Sequence, residues 1–74
     1  MSLKITKNNE EYIANIAYMT GNKGFSTINV DFKKDNNIVK QEIYGLYPNH
    51  DLPIYEQAYL HLKTLPEFAG AVDC

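Results

Sequence analysis

At 74 residues, with 45% hydrophobic and 22% charged side chains, the chain has room for one small domain and too many apolar residues for a disordered one. Its net charge of -2, with lysine supplying all seven basic residues, argues against a general nucleic-acid surface, which needs clustered cations to displace counterions from phosphates. A chain this short buries only about 60% of its extended surface on folding. With a single cysteine and no internal disulfide, its stability must come from a well-packed core or from self-association.

In chain order, residues 2–7 (SLKITK) alternate Leu3 and Ile5 with polar residues, which suits a short strand with one covered face. Asn8 and Asn9 then read as a turn, since asparagine tolerates left-handed backbone angles. Residues 11–19 place Tyr12, Ala14, Ile16 and Tyr18 on one face and Ile13, Asn15, Ala17 and Met19 on the other. Helix competes here, but tight flanking turns and two tyrosines with two isoleucines favour strand. Residues 25–34 show the cleanest alternation, with Ile28, Val30 and Phe32 facing inward and Thr27, Asn29, Asp31 and Lys33 outward. After a turn at Asp35-Asn36-Asn37, residues 38–47 form a fourth strand whose mixed pattern suggests a bulge near Gly45.

A helix is predicted over residues 52–64, with Asp51 as its cap and Pro53 in the first turn. Ile54, Tyr55, Ala58, Tyr59, Leu62 and Leu65 gather into one arc at 100° per residue, the face expected to cover the sheet. Leu60 falls on the polar side and is the one large apolar residue there. Pro66 stops the helix near Thr64, leaving residues 65–74 as a tail anchored by Phe68 and pivoting at Gly70. The expected fold is α+β: an antiparallel β-meander of three or four strands with one C-terminal helix on one face. Ile28, Val30, Phe32, Ile54, Ala58, Tyr59, Leu62 and Leu65 are its expected core.

Site chemistry is sparse. Cys74 has no adjacent base, and a terminal residue normally frays, so it reads as an inert thiol. His50 precedes the helix and His61 lies at the rim of the arc, a spacing that matches no metal motif. The carboxylates are scattered along the chain, whereas acid-base catalysis needs two in one cleft. No catalytic residue, metal ligand, cofactor or small-molecule substrate is therefore expected. The six tyrosines stand out, because tyrosine joins an apolar face to a polar tip and is enriched at interfaces. About half are expected to fill the core. Tyr12, Tyr18, Tyr44 and Tyr47 on the strands, with Leu60 on the helix, are the candidate interface.

Gln57-Ala58-Tyr59 and the run from Leu62 to Ala71 (LKTLPEFAGA) resemble the ending of small proteins encoded among the tail and other structural genes of tailed bacteriophages. The opening LKITK is similar to theirs as well. This resemblance implies a phage or prophage origin and a place near virion assembly, with no catalytic residue carried over. The function expected is that of a non-enzymatic structural or assembly-associated protein that self-associates or binds phage structural proteins. The alternative is a small inhibitor directed at a host protein. No apolar run approaches the ~20 residues that span a bilayer and the N-terminus shows no hydrophobic signal core. The expected location is the cytoplasm of a bacterial host or the virion.

Overall fold

Two left-handed pairs, Asn8 with Asn9 (φ 52° and 65°) and Asp35 with Asn36 (φ 52° and 67°), close two of the hairpins. Positive φ at both central residues gives a two-residue turn whose twist matches that of the flanking strands. The computed structural model describes residues 2–22, 24–49 and 51–74. Within them, strands β1 (Leu3–Lys7), β2 (Glu10–Gly21), β3 (Ser26–Lys34) and β4 (Asn37–Leu46) are followed by helix α1 (Ile54–Lys63), a 3₁₀ turn (Pro66–Phe68) and strand β5 (Val72–Asp73). The fold is α+β. One antiparallel sheet runs β4-β3-β2-β1-β5, with the helix on a single face.

The fifth strand is a correction to the expected tail. Gly70 at φ 78° turns the chain back, so that Val72 and Asp73 pair with Lys4 and Leu3. The Cys74 N–H then donates to the Ser2 carbonyl at 3.0 Å. The C-terminus is thus tied to the first strand rather than frayed.

The core lies between the helix and one sheet face. Leu3, Ile5, Ala14, Ile16, Ile28, Val30, Phe32 and Leu46 meet Ala58, Tyr59, Leu62 and Phe68, all buried. Leu65 is only partly buried against this cluster. Ile54 and Tyr55 correct the expected core: they share the angular arc of Ala58 and Leu62 but are 38% and 50% exposed. The difference is axial. The first helical turn runs past the sheet end, where Ile54 borders an open hollow with Leu52, Pro48, Gly21 and Ser26.

Two irregularities re-aim the strands. Ala17 is the extra residue between the Ile16–Val30 and Tyr18–Asn29 pairs. It flips the alternation, so Met19 rather than Tyr18 turns to the core. On β4 the extra residue is Val39, between the Phe32–Lys40 and Lys33–Ile38 pairs. The bulge expected near Gly45 therefore lies six positions earlier in the chain, where Lys40 needs to sit beside Phe32 and Ile38 is turned to the other face.

The helix start differs as well. Pro53 occupies the cap position with no side-chain cap bond, and Asp51 does not cap. Gln57 closes this end instead: its Oε1 accepts from the Asn49 N–H at 2.7 Å, while its Nε2 donates to the carbonyls of Asn49 at 2.9 Å and Leu52 at 3.3 Å. A long amide side chain spans the loop that a short carboxylate at Asp51 does not reach.

Candidate interaction surface

Because the helix covers one face, no second layer among the described residues covers the other side of the sheet. Thr27, Asn29 and Asp31 of β3 line its centre, and apolar side chains rise on either side of that polar row. Tyr18 of β2 and Ile43 of β4 flank Asn29 and are 55% and 67% exposed. Below them lies a shallow hollow of about 230 Å³ that reaches Asp31 and Gln41, where Gln41 Nε2 donates to Asp31 Oδ1 at 2.9 Å.

At one end of this face Phe25 packs edge-on against Tyr47, with ring centroids 5.2 Å apart. Gly45 makes room for it: a Cβ there would stand 2.9 Å from the Phe25 ring. Tyr47 is the most exposed large apolar residue of the described chain, at 81%. Contiguous exposed apolar groups ringed by polar ones mark contact surfaces.

The sheet edges are unequal. On one side β5 is two residues long. On the other, β4 presents ten residues with no further strand among the described residues beside it, and Ile38, Val39 and Ile43 stand exposed along it. An edge of that length carries a row of N–H and C=O groups suited to pairing with another strand.

The five candidate interface residues do not form one surface. Tyr18 and Tyr47 lie on the open face and Leu60 is exposed on the outer side of the helix. Tyr12 and Tyr44 lie on the helix side, where both are engaged within the chain. The Tyr12 hydroxyl donates to Glu10 Oε2 at 2.8 Å, and Glu10 Oε1 meets Lys34 Nζ at 2.7 Å. The lysine, and then the phenol, hold the Glu10 carboxyl below its ordinary range. Tyr44 packs on Phe68, centroids 5.6 Å apart, and donates to Glu67 Oε2 at 2.5 Å.

Partial burial first, and then the Glu67 hydrogen bond, push the Tyr44 phenol far above its ordinary 10.0. A phenol whose pKa is higher folded than unfolded adds stability that is complete below the unfolded value and is lost as pH rises through and above it. Stability to urea should accordingly begin to fall above about pH 10, and Tyr44→Phe should flatten that decline. An identical decline in the variant would show that Tyr44 ionisation contributes nothing to it.

The sequence reading missed Phe25, Ile38, Val39 and Ile43. Pairing partners held the signal: a strand hydrogen-bonded to the polar face of β3 must place Ile43 beside Asn29. Gln57, Ala58 and Tyr59 serve the fold. Gln57 clamps the loop, Ala58 is wholly buried and the Tyr59 hydroxyl accepts the Ile16 N–H at 3.0 Å. His61 is half-buried on the helix, and His50 lies outside the described residues. Cys74 is exposed, with Sγ 3.0 Å from Ser2 Oγ. Among the described residues, no group of three or more His, Cys, Asp or Glu is placed to hold a metal ion, and no helix is long and apolar enough to cross a membrane.

The fold and this surface define a two-layer α+β protein whose sheet, among the described residues, has one bare face and one long bare edge. Comparison with protein-family models, with curated proteins and with solved structures found no match.

Proposed function

We propose that this protein is a non-enzymatic, phage-derived assembly component that works through protein-protein contacts, including contacts with its own copies, in the cytoplasm of a bacterial host or on the virion. The observation that supports the reading most is the pairing of a bare ten-residue edge with an uncovered face bearing Tyr18, Ile43, Phe25 and Tyr47. So small a core leaves a thin stability margin, and association adds stability by mass action. The likeness of the C-terminal third to small phage proteins supports virion proteins as further partners.

Solution molar mass across a concentration series, with reductant present so that Cys74 crosslinks cannot mimic assembly, tests the first half. Oligomers should appear as concentration rises, and a monomer throughout would overturn self-association. Leu60→Glu, on the outer side of the helix, separates the surfaces: loss of the oligomer would move the contact to the helix, and indifference would leave it on the sheet. Capture from lysates of phage-induced and uninduced cells tests the second half. Virion structural proteins should be recovered from the induced lysate, whereas a single host enzyme recovered from both would replace this reading with that of a host-directed inhibitor.

A further inference from the structure

Just past the Val39 bulge, the centre of β4 reads Lys40-Gln41-Glu42: positive, amide, negative. Under an antiparallel two-fold axis through its middle residue, this run is its own complement. We infer that β4 pairs with β4 of a second copy about an axis through Gln41 and perpendicular to the sheet, joining the two sheets edge to edge. This rests on the self-association proposed above and adds its site and register.

In that register Lys40 lies opposite Glu42 of the second copy, and by symmetry Glu42 opposite the other Lys40. Gln41 faces Gln41, and the matched run ends there, because Val39 is the bulge residue and lines the helix-side hollow with Phe32 and Lys40. Directly opposed residues on antiparallel strands project on the same face with Cβ atoms about 4.5–5.5 Å apart. Both charge pairs fall on the helix side, where Lys40 and Glu42 point in each chain because they pair with the inward-facing Phe32 and Val30. The amide pair falls on the open face between two exposed Ile43 side chains.

A residue-centred axis suits either phase of the hydrogen-bond ladder. The central pair exchanges its own N–H and C=O groups, or leaves that exchange to Lys40 and Glu42 on either side. Charged residues on an edge normally discourage pairing. Here the two signs are placed so that self-pairing matches them, since the axis converts the i, i+2 pair at 3.5 Å within one chain into two cross-strand pairs. An axis through Ile43 is the main competitor, and it fails on chemistry. It would oppose Lys40 to buried Leu46, and Glu42 to Tyr44, whose hydroxyl already donates to Glu67.

The test combines charge exchange with site-directed crosslinking. Lys40→Glu and Glu42→Lys, each alone, put two like-charge pairs across the axis and should weaken the dimer about tenfold or more. The double variant Lys40→Glu/Glu42→Lys restores opposite charges and should recover the wild-type dissociation constant to within about threefold. Lys40 also stands 4.0 Å from Glu67 of its own chain, so thermal melts at high dilution follow the monomer separately.

Crosslinking reads the register without altering any charge. In a Cys74→Ser background, Gln41→Cys should form an intermolecular disulfide rapidly on oxidation, because the paired Cβ atoms lie close to disulfide range, and Ile43→Cys should not. A dimer that ignores the charge exchange, or that crosslinks at Ile43→Cys and not at Gln41→Cys, overturns this register while leaving self-association intact. A wild-type protein that is monomeric throughout overturns both.

Discussion

Phe68→Ala should destabilise the protein by about 3–5 kcal/mol, the usual range for removing a buried phenylalanine. Its ring is 1% exposed and touches both ends of the helix-side aromatic group, with centroids 5.7 Å from Phe32 and 5.6 Å from Tyr44. The 3₁₀ turn that carries it has no other buried residue. Truncation should therefore also free Glu67 from Tyr44 and slacken the path into β5. Domains of this size are stable by about 4–11 kcal/mol, so the variant should melt tens of degrees lower or fail to fold. The check is urea and thermal unfolding with hydrogen exchange at Cys74, whose N–H donates to the Ser2 carbonyl. A melt within a few degrees of wild type would mean that the ending lies on the fold rather than within it.

Tyr59→Phe removes one oxygen and should still cost about 1–3 kcal/mol. Ile16 lies two residues past the Leu3–Ala14 pair, where the described β1–β2 ladder ends, so its buried N–H on the β1 side of β2 needs another acceptor. The Tyr59 hydroxyl supplies it to Ile16 across the helix-sheet interface, 43 positions away in the chain. Phenylalanine keeps the ring and the packing but leaves that N–H unpaired. The expected signature is a lower urea midpoint with an unchanged slope, together with faster amide exchange at Ile16. Wild-type exchange at Ile16 in the variant would show that this N–H is satisfied in another way.

The elements follow from local physics legible in the residues themselves. Asn8-Asn9 and Asp35-Asn36 favour the left-handed turns that close two hairpins, the alternation of Ile28, Val30 and Phe32 with Thr27, Asn29 and Asp31 defines the central strand, and Pro66 ends the helix. Period, turn chemistry and the missing N–H of proline act over a few residues, so a reading of neighbours suffices for them. Tertiary packing decided the remainder. Val39 became the bulge of β4 because Lys40 can lay its stem near the Phe32 ring, 5.4 Å from Nζ to centroid, while Ile38 turns away. Ile54 and Tyr55 lost their cover because the sheet ends before the first helical turn, a matter of axial position that helical angles do not encode. The last residues became a strand because β1 had a free edge and Phe68 held the chain beside it. Which face of the sheet stayed bare followed from the same cause: one helix of ten residues covers one side only, and the sheet's other face and its β4 edge were left for contacts between molecules.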